Sequence, residues 1–254
     1  MDCHLQGLSV LVTRPAEQAD ALCELIEKAH GRPVRFPALE ILPPADAAAV
    51  ADLLQRAAEA DLLIFVSANA VRHAFPLLPD VLPAGLAIAA VGQATARALE
   101  EAGLEPTMVP AQRFDSEGLL SLPGLQQMAG RRVIIVRGEG GRELLRQALE
   151  ERGAEVVYAE VYRRRCASRG TANLVASWDR LVQAVTVTSV EILDCLWNLL
   201  DDSGRERLHL TPLVVLSERI AARASELGCN RVQVTEQVGD HAILQALCKL
   251  VEKP

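Results

Sequence analysis

The chain states one pattern twice, and that constrains its fold more than any single motif does. Gly7-Leu8-Ser9-Val10-Leu11-Val12-Thr13-Arg14 opens a strand that breaks into a helix, and Gly130-Arg131-Arg132-Val133-Ile134-Ile135-Val136-Arg137 does so again 123 positions later (130 minus 7). The echo continues along the chain. Gly31-Arg32-Pro33-Val34 matches Gly153-Ala154-Glu155-Val156, Val66-Ser67-Ala68-Asn69-Ala70-Val71 matches Thr188-Ser189-Val190-Glu191-Ile192, and Ala96-Arg97-Ala98-Leu99 matches Ala222-Arg223-Ala224. The sequence therefore holds two versions of one α/β unit, and two such units are expected to face each other across a cleft that takes a ligand.

Apolar runs and helical periodicity give the elements. Short apolar runs at Leu8 to Val12, Leu62 to Val66, Leu86 to Val91, Val133 to Val136, Val185 to Thr188 and Leu213 to Leu216 read as strands. Helical patterns follow, at Glu17 to Ala29, Ala94 to Ala102, Glu143 to Arg152 and Ile220 to Leu227, most ending at glycine. This alternation predicts parallel sheets flanked by crossover helices. Two stretches, Phe36 to Pro44 and Tyr158 to Arg164, hold equivalent places in the repeats; prolines around the first and Arg163-Arg164-Arg165 at the second suit exposed connecting strands better than sheet centres. The expected organisation is domain one from 1–37 and 165–254, domain two from 45–157, and linker strands at 38–44 and 158–164.

Half of the 254 residues are apolar, enough for a core in each unit. No apolar run approaches the roughly 18 residues that span a bilayer, and Met1 to Gln6 has neither the basic nor the apolar part of a signal peptide, so a cytoplasmic protein without membrane contact is expected. A net charge of −7 with four Phe, two Trp and two Tyr argues against nucleic acid. The six cysteines lack CxxC spacing, which predicts reduced, structural thiols, and the five histidines show no metal-ligand spacing.

The chemistry is expected at the strand ends, where ligands gather in open parallel sheets and helix N-termini present unpaired amides. Six such turns combine a small or hydroxyl residue with a helix start: Thr13-Arg14-Pro15, Ser67-Ala68-Asn69, Gly92-Gln93-Ala94-Thr95, Arg137-Gly138-Glu139-Gly140-Gly141, Thr188-Ser189 and Ser217-Glu218-Arg219. Each is a candidate anion site, and each also reads as a plain helix cap. Further helix starts stand at Asp115-Ser116-Glu117 and Gly239-Asp240-His241. Gly138 to Gly141 follows a strand as a dinucleotide fingerprint does, but Glu143 occupies the place of its third glycine, and neither a phosphate loop nor a nucleophile elbow occurs.

Taken in order, Val12-Thr13-Arg14-Pro15, Phe65 to Val71, Val91 to Ala96, Val136-Arg137-Gly138, Val161-Tyr162-Arg163 and Val187-Thr188-Ser189 give the chain a resemblance to the uroporphyrinogen-III synthases. The resemblance implies two α/β domains on a two-stranded linker, with the active site in the interdomain cleft. It implies cyclisation of hydroxymethylbilane, a linear tetrapyrrole with eight carboxylates, with loss of water and inversion of the last ring, as in haem and sirohaem biosynthesis, without metal or cofactor. Tyr162 matches the family's linker tyrosine and becomes the candidate catalytic donor to the departing hydroxyl. The candidate substrate-binding set is Thr13, Arg14, Ser67, Ala68, Asn69, Gly92, Gln93, Thr95, Arg137, Gly138, Thr188, Ser189 and Ser217. Ser217-Glu218-Arg219-Ile220 and Glu191 depart from the family pattern, placing carboxylates where a polyanion would be repelled. A monomer is expected, with a transient contact to hydroxymethylbilane synthase. The competing reading is a two-lobed cytoplasmic module that binds an anionic ligand without chemistry.

Overall fold

Runs such as Ser9-Val10-Leu11-Val12 and Leu62-Leu63-Ile64-Phe65 are apolar on both faces, so they are stable only when helices cover both sides of a sheet. That is where the computed structural model, which describes residues 3–252, puts them. Along the chain come β1 (Ser9–Val12), α1 (Asp20–Lys28), β2 (Arg32–Arg35), β3 (Leu39–Leu42), α2 (Ala47–Gln55), β4 (Leu62–Phe65), α3 (Ala68–Ala74), β5 (Ala87–Ala90), α4 (Gln93–Glu101) and α5 (Ser116–Leu120). They continue as β6 (Arg132–Gly138), α6 (Leu144–Glu151), β7 (Glu155–Cys166), α7 (Ala172–Ala176), α8 (Trp178–Leu181) and β8 (Ala184–Val187). The order closes with α9 (Val190–Leu199), α10 (Asp202–Leu210), β9 (Leu213–Val215), α11 (Glu218–Glu226), β10 (Val232–Val234) and α12 (Asp240–Glu252).

The chain divides into two units, one formed by residues up to Ile41 and from Arg165 on, the other by Leu42–Arg164. The first unit holds a parallel sheet in the order β10-β9-β8-β1-β2. Its β1, held between β8 and β2, feeds both faces through the two-residue period of a strand. Leu11 packs with Trp178, Leu193 and Leu213, while Val10 and Val12 pack with Leu22, Ile26, Ile243 and Leu247. Burying each such aliphatic side chain contributes roughly 1.5–3 kcal/mol. The second sheet has the order β3-β7-β6-β4-β5, with β7, β6, β4 and β5 parallel. Leu62, Ile64, Val133 and Ile135 form one core there with Leu119, Leu145 and Leu149 of α5 and α6.

All six strands expected from apolar runs form. The four expected helices form too, α1 being preceded by a short 3₁₀ turn at Ala16–Gln18. Two expectations are corrected. The stretch from Tyr158 to Arg164 is exposed only at its far end: Glu155–Cys166 is one continuous strand that carries the chain from one unit into the other, and its earlier part lies inside the sheet beside β6, with Ala159, Val161 and Tyr162 buried. The arginine run that suggested exposure occupies only its far end. The cysteines are not all reduced. The fold joins Cys3 to Cys248, 245 residues apart, and Cys166 to Cys195, 29 apart, leaving Cys23 and Cys229 as buried thiols. Such pairings arise from tertiary proximity, which local CxxC spacing does not encode.

The internal contacts of the second unit give a direct expectation. We propose that residues 42–164, made alone, unfold cooperatively on heating, because their strands and helices supply both faces of a sheet. A protease-sensitive chain without a thermal transition refutes this.

Candidate active site

Parallel pairing brings the carboxyl ends of all strands in a sheet to one edge. The turns after β1, β8 and β9 therefore share an edge in the first unit, and those after β4, β5 and β6 share one in the second. Four of the helices that start there have the same extended N-cap backbone, with φ of −160° at Ser67, −162° at Gly92, −153° at Ser189 and −161° at Ser217. The repeat seen in sequence is thus a repeat of one turn geometry.

In the second unit these ends build a pocket of about 280 Å³, to which Ser67, Arg137, Gly138 and Tyr162 all contribute. Ser67 caps α3: its Oγ accepts the Ala70 N–H at 3.1 Å, which leaves its own hydroxyl proton available. That Oγ lies 3.4 Å from the Tyr162 hydroxyl. Tyr162 is 6% exposed, and its ring is flanked by His73, whose ring centre is 5.3 Å away. The phenol is therefore held in place with its oxygen at the pocket wall.

Arg137 is 5% exposed and anchors the pocket floor. Its guanidinium donates to the Gly138 and Arg142 carbonyls at 3.1 and 3.4 Å and pairs with Glu143 at 3.3 Å and Glu160 at 3.7 Å. It also lies 4.3 Å from the centre of the Tyr158 ring, a cation–π contact. Tyr158 donates its hydroxyl to Glu143 at 2.8 Å. Burial, and then the Glu143 carboxylate, push its pKa from 10.0 up to about 12. A raised pKa means that the folded chain holds this proton longer than the unfolded one does. The stability gained from this phenol should be complete below pH ~10 and lost as pH rises through ~12. Absorbance of tyrosinate checks this: a step centred near 12 that disappears in Tyr158→Phe is expected, and a Tyr158→Phe variant that instead loses a step at the free-tyrosine position contradicts it.

The remaining expected residues are placed as follows. Ala68 and Asn69 form the first turn of α3 after Ser67, and Gly92, Gln93 and Thr95 start α4, with Thr95 buried. In the first unit Thr13 is fully buried and donates its hydroxyl to the Thr186 carbonyl at 2.7 Å, tying β1 to β8. Arg14, the repeat equivalent of Arg137, is 9% exposed and pairs with Asp240 at 2.7 Å. Thr188 leads to Ser189, which caps Ile192, whereas Ser217 opens α11 without a capping hydroxyl bond. Glu191 and Glu218 both sit in first helical turns. Sequence reasoning missed Tyr158, Arg142 and Arg164 in the pocket lining and His73 against Tyr162, and noted Ser116 only within a further helix start. Tyr158 was findable, being four residues before Tyr162 on one strand and hence on the same face. His73 carried no local signal.

Comparison with known proteins agrees with this arrangement. The chain matches the model of the family described as uroporphyrinogen-III synthase HemD over residues 20–245. It is 37% identical over 253 residues to a uroporphyrinogen-III synthase from Escherichia coli, covering 94% of this chain and 100% of that one. A crystal structure of a mutant uroporphyrinogen III synthase from the extremely thermophilic bacterium Thermus thermophilus superposes with a TM-score of 0.65 at 25% identity, covering 98% of this chain and 100% of that one. A uroporphyrinogen-III synthetase structure from Helicobacter pylori shares the fold with a TM-score of 0.62 at 14% identity, covering 96% and 99%. Two repeated α/β units, a strand-end pocket holding a buried tyrosine, and these likenesses over nearly the whole length lead to one conclusion: the chain belongs to the uroporphyrinogen-III synthase family.

Proposed function

We propose that the chain cyclises hydroxymethylbilane to uroporphyrinogen III with loss of water and inversion of the last ring, a carbon–oxygen lyase reaction, and that the second-unit pocket holds the reacting end. The observation that carries this is the convergence of Ser67, Arg137, Gly138 and Tyr162 on one pocket. At about 280 Å³ it suits one pyrrole ring with its acid side chains, not a whole tetrapyrrole. The other carboxylates require donors elsewhere, which the strand-end turns at Gly92, Ser189 and Ser217 offer as backbone amides.

The departing hydroxyl needs a proton or a hydrogen bond as its carbon–oxygen bond breaks. Tyr162 is the donor. The Ala70 N–H feeds Ser67 Oγ, and the Ser67 proton can be given to the phenol oxygen 3.4 Å away, which polarises the phenol toward the leaving group. Closure then depends on orientation: the substituted carbon of the last ring must reach the electrophilic end before the unsubstituted closure does. Replacing Ser67 or Ser189 by Ala removes one hydrogen bond and leaves the backbone amides in place, so affinity should fall only modestly, by about 0.5–1.5 kcal/mol for a neutral hydrogen bond and somewhat more for one to a carboxylate. The enzyme is read as a cytoplasmic monomer that receives its substrate by transient contact with hydroxymethylbilane synthase.

The test is direct. Incubation with enzymatically generated hydroxymethylbilane, oxidation, and separation of the porphyrin isomers should yield the type III isomer. A protein that only binds leaves type I alone.

A further inference from the structure

Gly138 ends β6 opposite Tyr162, at a shift of register between Arg137 and Gly138. Sequence reading places it among the substrate-binding residues, as part of a glycine-rich turn. The backbone divides that turn differently. Gly140 and Gly141 have φ of +73° and +105°, a region that favours glycine, and they make the turn. Gly138 is not among the residues with positive φ, so any residue could adopt its backbone.

What a side chain at 138 would meet is the phenol. A methyl group on its Cα would lie 2.5 Å from Cζ, 2.6 Å from Cε2 and 2.9 Å from the hydroxyl oxygen of Tyr162, well inside van der Waals contact. No other group comes as near. The same pair is fastened by backbone, since the Glu139 N–H donates to the Tyr162 carbonyl at 2.7 Å. The strand cannot simply slide away from the ring.

We propose that Gly138 is a positioning residue for Tyr162: its missing side chain is the space in which the phenol lies, with the His73 ring beside it and Ser67 at the hydroxyl end. The consequence for turnover rests on the donor role assigned to Tyr162 above. The positioning itself does not. Gly138→Ala pushes the ring off its seat, and a misplacement of about 1 Å at a reacting group costs on the order of 10²-fold.

The chain has two tyrosines, Tyr158 and Tyr162, so 3-fluorotyrosine labelling of the full-length protein gives two fluorine resonances. In Gly138→Ala the Tyr162 resonance should move and the Tyr158 resonance should stay. Turnover should fall roughly 10- to 100-fold with affinity for uroporphyrinogen III retained, and Gly138→Ala should add no further loss in a Tyr162→Phe background. An unmoved Tyr162 resonance overturns the proposal, as does an equal loss in both backgrounds. A moved resonance with full turnover upholds the positioning and refutes Tyr162 as donor. If Gly138→Ala lowers the melting temperature too far to assay, the drop it causes should be much smaller in a Tyr162→Ala background, where the space is vacated, than in the unaltered chain. An equal drop in both backgrounds means the methyl collides with something else, and the inference is wrong.

Discussion

Tyr162→Phe is expected to slow uroporphyrinogen III formation by up to the 10²- to 10⁴-fold typical of general acid assistance, toward the lower end because the electron-rich pyrrole already expels hydroxide readily. Product affinity should be nearly unchanged. The ring remains, still packed against His73 and over Gly138, and only one hydroxyl is lost from the wall beside Ser67. A fall in kcat with little change in KM marks an interaction made mainly in the transition state. Full turnover in Tyr162→Phe together with loss in Ser67→Ala transfers the donor role to Ser67 and breaks the assignment.

Arg137→Met should measurably destabilise the second unit. The buried guanidinium bonds the Gly138 and Arg142 carbonyls, and its removal takes a donor from the buried Gly138 carbonyl while leaving Glu143 and Glu160 without this cation. Those carboxylates are 49% and 39% exposed, so water screens part of the penalty. A loss of about 2–3 kcal/mol follows, less than for a fully buried pair, and should appear as a lower urea midpoint at constant slope. Arg137→Lys should recover little, since an ammonium group cannot span two carbonyls and two carboxylates or stack on Tyr158. A loss below about 1 kcal/mol for Arg137→Met would show that the freed carboxylates turn to solvent and that the carbonyls find other donors.

Much of this was legible in the residues, for identifiable reasons. The apolar runs at β1, β4, β6 and β8 are buried on both faces, so their composition announces parallel strands whatever the register. Ser67 and Ser189 cap helices that start immediately after strands, and the sequence shows strand, hydroxyl and helix in that order. Other features were not local. His73 meets Tyr162 only because α3 packs along β6, the neighbour of β7, and Glu160 meets Arg137 only through the pairing of β6 with β7. The strand β7 itself was misjudged at its far end. Three consecutive arginines suggested a solvent-exposed connector, yet Arg163, Arg164 and Arg165 are exposed on a strand that is buried a few residues earlier. Charge at the end of a strand reports where the strand emerges, not whether it is part of a sheet.

The placement of β1 sets an order of assembly. Val10 pairs with Pro33 on one side and with Ala184 on the other, so one flank of β1 can be closed early and the other only after the chain has reached β8. At synthesis rates of about 5–20 residues per second, that second partner emerges on the order of 10–35 s later. All of Leu42–Arg164 is made in the interval. A strand made before the inserted unit is therefore completed only after it, and for that interval an apolar strand waits with one edge open. A chain built this way depends on its inserted unit folding promptly and keeping clear of that edge.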